Sequence, residues 1–493
     1  MDTPPILFLP IINWEFRTQR PQQLARCFAR AGHRVYYPAL RLHPDPPAPH
    51  QVESGIWQIA LNGDPGLDPY RDRLSPAAVE LALGSLREIS AEHPLDGCWI
   101  IAQLPSWRPL AEAARTAFGG AVLFDCMDDF TAFGDHGDLA QDERALAISA
   151  DLVVTSAQSL FDKLAPLNPQ TRMVRNGCEP AHFGPASART LPDEPVVVGF
   201  FGGIHDWFDG SLVAEIARLR PQWEIRLIGD TYRGDVETLR TLPNVKFFGE
   251  VPYAALPRLV SGFHAGIIPF KITPLTEAAD PVKAYEMLAA GLTVVATDLP
   301  ELRRLVPLVA LAHTAGEFVA HIEESLSEPP EARLARFEAA RRESWLDRFL
   351  DLRRAMDESP GGSRRRPAPR VESASAETER FVSLSDLQRE TEELRRHLSA
   401  LETAWQGERE RAEAECLSLI GQRDQIEAER LSLIEQRDRI EAEAARLRHE
   451  LQRVEAERLA LEMELRRASI SASSSLGRRL AGRGRALLRR FSS

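Results

Sequence analysis

A chain of 493 residues, 44% hydrophobic and 27% charged, has room for about three units of ordinary domain size, which excludes a single small module. With 72 acidic against 60 basic residues and a formal net charge of −12, it is not a whole-molecule nucleic-acid binder, since such a surface must neutralise phosphates. The five cysteines, Cys27, Cys98, Cys126, Cys178 and Cys416, are too scattered for a disulfide framework or a zinc site. No run reaches the roughly 18 apolar residues a membrane span needs, and the Met1-Asp2 start is not basic, so a cytoplasmic protein is expected.

In chain order, short apolar runs alternate with segments of helical length. They are Ile6 to Leu9, Val35 to Tyr37, Trp99 to Ala102, Val122 to Phe124, Leu152 to Thr155, Val196 to Phe201, Ile225 to Ile228, Val245 to Phe248, Ala265 to Pro269 and Thr293 to Ala296. Near-continuous hydrophobicity over four to six residues indicates parallel strands covered on both faces. The fold class predicted is therefore α/β, with two doubly wound, Rossmann-like domains: an N-terminal one at 1–185 and a C-terminal one at 186–356, with a cleft between them. The Pro, Ala, Ser, Asp and Glu residues between Gly184 and Pro195 serve as the connector.

Residues 357–380 have linker composition, and no proline follows Pro369. A long α-helical coiled coil is predicted over 381–468. Its apolar column runs Leu398, Trp405, Ala412, Leu419, Ile426, Leu433, Ile440, Leu447, Val454, Leu461, and the block Leu417–Glu429 returns at Leu431–Glu443, two heptads on. The second column is poor, containing Glu408, Glu415, Gln422, Glu429 and Gln436, so a single solvated helix is the alternative to self-association through 398–461. The tail at 469–493 carries Arg478, Arg479, Arg483, Arg485, Arg489 and Arg490 among Leu480, Leu487, Leu488 and Phe491, with Arg466 and Arg467 just before it. This basic amphipathic pattern suits the anionic inner face of a cell membrane, and a solvated terminus is the alternative.

The segment Ile267 to Thr297 carries the chemistry. Asp280 is expected to cap a helix that Pro281 opens and Gly291 stops, with its positive dipole end turned into the cleft, where a phosphate can bind. Lys283 falls in the first turn. Glu286 lies one turn further on the same face, where a carboxylate can accept hydrogen bonds from two ribose hydroxyls. Diphosphate beside ribose describes a nucleotide-sugar. The alternative for Lys283 and Glu286 is an ordinary ion pair on a helix surface.

The stretch Pro281-Val-Lys-Ala-Tyr-Glu-Met-Leu-Ala-Ala-Gly-Leu-Thr-Val-Val295 resembles the nucleotide-sugar signature of retaining GT-B glycosyltransferases of the family 4 type, in particular the teichuronic-acid and exopolysaccharide branch. Supporting segments are Trp14 and Arg17 with Gln19-Arg-Pro-Gln22, Phe124-Asp-Cys-Met-Asp-Asp-Phe130, Ala150–Ser156, Val174-Arg-Asn-Gly177, Gly199-Phe-Phe-Gly-Gly203 and Ser344-Trp345; together they span about residues 5 to 355. The resemblance implies a hexosyltransferase of polysaccharide biosynthesis that binds a nucleotide-sugar donor and a glycan or lipid-linked acceptor, retains anomeric configuration, and uses no cofactor or metal. It implies donor binding by Glu286 and Lys283, with Lys271, Gly202 and Gly203 as further donor candidates. Trp14, Arg17, Arg20, Asp125, Asp128 and Asp129 are the acceptor and cleft candidates. Two positions depart from the pattern: Ala278 stands where a glutamate is usual, with Glu277 beside it, and the loop after Gly203 offers His205, Asp206 and Asp209 in place of an arginine and a lysine. Lys271 or Lys283 is left to supply that charge. A nucleotide-sugar epimerase on the same fold and a non-catalytic scaffold working through its coiled coil are the competing functions.

Overall fold

The computed structural model describes residues 3–133, 137–184, 195–363, 453–455 and 457–464. The chain forms two compact units, Met1–Thr378 and Glu379–Ser493.

Among the described residues of the first unit, eight strands make one sheet and six make another. The first sheet holds β1 (Ile6–Leu9), β2 (Val35–Pro38), β3 (His50–Glu53), β4 (Ile56–Ile59), β5 (Trp99–Ala102), β6 (Ala121–Cys126), β7 (Leu152–Thr155) and β8 (Thr171–Met173). Their order is β3-β4-β2-β1-β5-β6-β7-β8. All pairings are parallel except β3 with β4 at the edge. The second sheet holds β9 (Val197–Phe201), β10 (Glu224–Ile228), β11 (Val245–Gly249), β12 (Ala265–Ile268), β13 (Thr293–Thr297) and β14 (Val309–Ala312), wholly parallel in the order β11-β10-β9-β12-β13-β14. Both sheets reverse direction of winding once, between β1 and β5 and between β9 and β12. At such a switch point the loops leaving neighbouring strands diverge and open a crevice at the carboxyl ends.

Strand β1 shows why the apolar runs are uninterrupted. Ile6 and Phe8 enter the core on one side of the sheet, Leu7 and Leu9 the core on the other, and all four are fully buried. The second sheet and its helices share one core, in which Phe200, Phe263, Ile267 and Val294 are fully buried.

The closing helix Trp345–Glu358 departs from the expected boundary, which assigned everything from 186 to 356 to the second domain. It crosses back and packs Trp345, Phe349, Leu352, Ala355 and Met356 onto the first sheet beside Ile6, Phe8 and Phe28. The rings of Phe28 and Phe349 meet edge to face at 5.0 Å. Parallel strands need both faces covered, and the helix Arg20–Arg30 alone leaves part of this face open. The return is pinned by backbone bonds from Cys178 N to Glu343 O (3.0 Å) and from Trp345 N to Cys178 O (2.9 Å).

In the second unit, residues 453–455 and 457–464 are helical, with Arg453–Glu457 and Arg458–Glu462 pairs at i, i+4. The remainder of the predicted linker, the coiled coil apart from those positions, and the basic tail lie outside the described residues. Among the described residues no helix is long and apolar enough to cross a membrane.

Candidate active site

The loops leaving the two switch points enclose a cavity of about 910 Å³. The first sheet contributes the loop after β1, with Arg17 and Gln19, the loop after β6, with Met127 and Asp128, and Asn176 after β8. The second contributes Gly202, Gly203 and His205 after β9, Gly229 after β10, Glu250 to Tyr253 after β11, and the segment from Phe270 into the helix Val282–Ala289.

That helix positions Lys283 and Glu286 on the cavity wall. Its start differs from the expected one: Pro281 is the N-cap, Val282 the first helical residue, and Asp280 caps nothing. The buried Asp280 carboxylate instead accepts hydrogen bonds from the Asn176 backbone N–H (2.7 Å) and the Tyr285 hydroxyl (2.7 Å), while Asn176 Nδ2 donates to the Asp280 carbonyl (2.7 Å). Arg304 in turn donates to the Tyr285 hydroxyl. Burial pushes the Asp280 carboxyl up to about 6 against these bonds. Asp280 is thus a bolt between the two sheets' loops, reinforced by Glu301, which accepts from Arg175 Nε (2.9 Å) and from the Gln158 backbone N–H. Gly291 does end the helix, one residue past the C-cap Ala290.

Lys283 makes no hydrogen bond to Glu286, so the pair is not an ordinary surface ion pair. Its ammonium lies over the rings of Phe270 (4.9 Å) and Phe200 (5.5 Å). Burial lowers it to about 8, Glu286 pulling it back up and Arg17 pressing it further down. Burial raises the Glu286 carboxyl to about 7, against the charge of Lys283 and the Tyr253 hydroxyl, which both favour the carboxylate. Tyr253 is fixed by stacking on His182 (4.3 Å between ring centres) and by His182 Nε2 at 3.0 Å from its carbonyl oxygen.

Two glycines make room for cations. Gly202 has φ +123°, and a Cβ there would lie 2.9 Å from Lys283 Cε; one on Gly203 would lie 2.9 Å from Arg17 Nη1. Gly229 has φ +144°, and its Cβ would strike the Gly202 carbonyl oxygen at 1.9 Å. The side chain of Arg17 crosses the cleft to Glu250 (Nε–Oε1, 2.6 Å) and Asp230 (Nη2–Oδ2, 3.5 Å).

Other sequence candidates fall elsewhere. Lys271 is outside the cavity lining, and its backbone serves the loop by bonding Trp207 O and accepting from Thr276 Oγ1. Trp14 packs edge-on against Tyr37 (5.2 Å) beneath Arg26 and does not line the cavity. Arg20 reaches the cavity floor, but its guanidinium is spent on Asp125 through Nε and Nη2 and on the carbonyls of Val174 and Arg175 through Nη1. Asp125 also accepts from Gln103 Nε2, and Asp129 pairs with Lys163 (2.9 Å). Only Asp128 of the three aspartates lines the cavity; burial, then the charge of Asp129, raises it to about 6. Ala278 is buried in the core beneath the first sheet, and Glu277 is exposed. Tyr253, Glu250, Asp230 and His182 belong to no sequence motif; the Gly249 that ends β11 marks a chain turn at the cavity but not which side chains follow it inward.

Residues 195–328 match the family described as Glycosyl transferases group 1. TuaH of Bacillus subtilis (strain 168), named as a teichuronic acid biosynthesis glycosyltransferase, is 28% identical over 289 residues, 52% of this chain and 69% of that protein. Among solved structures, sucrose-phosphate synthase (tll1590) from Thermosynechococcus elongatus superposes with a TM-score of 0.57 at 18% identity, over 71% of this chain and 98% of that one. Anabaena Alr3699/HepE in complex with UDP and glucose gives 0.54 at 15%, over 72% and 100%. The first unit therefore has a GT-B-like α/β fold with parallel sheets, and its second half carries the group 1 glycosyltransferase match.

Proposed function

We propose that this chain is a glycosyltransferase that moves a hexosyl group from a nucleoside diphosphate to a hydroxyl of a glycan or lipid-linked acceptor, with retention of configuration, in polysaccharide biosynthesis. The observation that carries the reading is the placing of Lys283 and Glu286 one turn apart on a single helix, whose free N–H groups open on the cavity at the meeting of two switch points. A carboxylate whose ionised form Lys283 favours against the effect of burial suits two ribose hydroxyls, and a cation at the helix start suits the diphosphate next to them. When the glycosidic bond to the donor breaks, negative charge grows on the departing phosphate oxygens, and Lys283 with the helix dipole stabilises it. Asp128, on the opposite wall, is placed to accept a hydrogen bond from the acceptor hydroxyl.

Relatives of this fold are described in complex with UDP-glucose, which supports a nucleotide-sugar as donor. The test is turnover of a panel of nucleotide-sugars with glycan and lipid-linked acceptors. Release of free nucleoside diphosphate with sugar on the acceptor supports transfer; an isomerised sugar without release indicates an epimerase; binding without turnover indicates a scaffold. Activity is expected to survive EDTA, and a loss restored by magnesium or manganese would contradict the metal-independent reading. We further assign self-association to 398–461 and attachment to the anionic inner face of the membrane to the basic tail.

A further inference from the structure

We infer that Arg17, delivered across the cleft by the first half of the molecule, is the second cation of the donor diphosphate site, clasping a nucleoside diphosphate together with Lys283. The inference rests on the functional reading above and extends it to a residue on the opposite wall.

Three observations carry it. First, the glycine turn after β9 supports two cations side by side. Lys283 lies against Gly202 and Arg17 against Gly203, each so close that a methyl group on the glycine would press on it at 2.9 Å. Two like charges lying against consecutive residues of one turn repel, and a ligand carrying two negative charges relieves both. Second, the turn has no such charge of its own. The loop from Gly202 to Asp209 contains neither arginine nor lysine, and His205 is already engaged with Asp230 at 3.1 Å. Third, Arg17 keeps capacity to spare. Its Nη2 is sealed from solvent and donates no hydrogen bond, standing 3.5 Å from the Asp230 carboxylate. Glu250 and Asp230, 47% and 40% exposed, hold the guanidinium from the solvent side. Exposed ion pairs of that kind are weak enough for a phosphate to compete with them. Planar guanidinium groups suit phosphate oxygens, which they can engage with two parallel N–H donors.

The competing role for Arg17 is a strut that merely holds the cleft shut. A strut contributes equally to every ligand of the cleft; a diphosphate clasp contributes only when phosphates are present. Calorimetry on the full chain separates them. UDP, GDP, ADP and dTDP are screened against the wild type, and the one bound is compared with its parent nucleoside across Arg17→Gln, Arg17→Lys and Glu250→Gln. We expect Arg17→Gln to weaken the diphosphate on the order of ten- to a hundredfold while leaving the nucleoside unchanged, and Arg17→Lys to keep part of the loss from appearing. Glu250→Gln, which frees the guanidinium, should hold or tighten the diphosphate and serves if Arg17→Gln does not fold. If Arg17→Gln changes nucleoside and diphosphate alike, or neither, or if Glu250→Gln weakens nucleoside and diphosphate alike, Arg17 is a strut and the inference is overturned with the functional reading intact. A folded wild type that binds none of the four overturns both.

Discussion

Burial moves the Glu286 carboxyl up to about 7 and the Lys283 ammonium down to about 8, and this sets how nucleotide binding should respond to pH. The carboxyl, raised to about 7, takes up a proton as the pH falls and then has fewer lone pairs for ribose hydroxyls. The ammonium, lowered to about 8, gives up its proton as the pH rises and no longer attracts phosphate. Affinity for a nucleoside diphosphate is therefore expected to peak between about pH 7 and 8 and fall on both sides. Calorimetry from acid to alkaline pH checks this, and a profile without the acid limb would remove Glu286 from ribose binding. Glu286→Ala should weaken donor binding or turnover at least tenfold, since hydrogen bonds to a charged group contribute about 1.5–3 kcal/mol. Unchanged kinetics in a folded variant would contradict that role.

At the level of elements, the turn after β9 and the bolt at Asp280 can be tested separately. Gly229→Ala brings a methyl group against the backbone oxygen of Gly202, where no rotamer change relieves it, at a φ that disfavours side chains. The variant should lose roughly 1–3 kcal/mol in denaturant titration and lose nucleotide binding with it. Asp280→Ala leaves the Asn176 N–H buried without its acceptor and should cost about 1–3 kcal/mol in the same measurement, while the cavity wall at Lys283 and Glu286 stays in place. A midpoint unmoved by either substitution would count against the packing described. Much of this level was legible in the sequence. The runs Ile6–Leu9, Trp99–Ala102 and Leu152–Thr155 coincide with β1, β5 and β7 because a strand buried on both faces has no polar interruption. Four strands gave no such signal: β3 is a polar antiparallel edge, β8 has three residues, and β4 and β14 are only partly buried. Asp280 differs from the expected cap because capping preference is local, whereas its partner Asn176 is 104 residues away. Lys283 and Glu286 shared a legible face because helix periodicity places them; Arg17 was visible as a cleft residue, but its approach to Gly203 depends on how two sheets meet.

For the molecule as a whole, two truncations should behave differently. Ending the chain at 370 keeps every described residue of the two sheets and their helices, so a folded, nucleotide-binding protein is expected. Ending it at 343 removes Trp345, Phe349 and Leu352 from the first sheet and should yield an aggregating product, distinguishable by sedimentation. If the proposed roles of 371–493 hold, the longer truncation also loses self-association and binding to anionic liposomes. The tail arginines would each add up to about 1 kcal/mol at such a surface, and the attachment should weaken with salt. A truncated protein that still dimerises, or a full chain indifferent to anionic liposomes at low salt, would refute the corresponding assignment.

The return of the closing helix also imposes an order on synthesis. The last strand of the first sheet ends at Met173, yet the cover of one of its faces is complete only with Met356, about 180 residues later. At about 5–20 residues per second, the ribosome takes roughly ten to forty seconds to supply it. Throughout that interval the first-made half presents an open apolar face while the second half folds, so the nascent chain has its greatest need of a chaperone after its first sheet already exists.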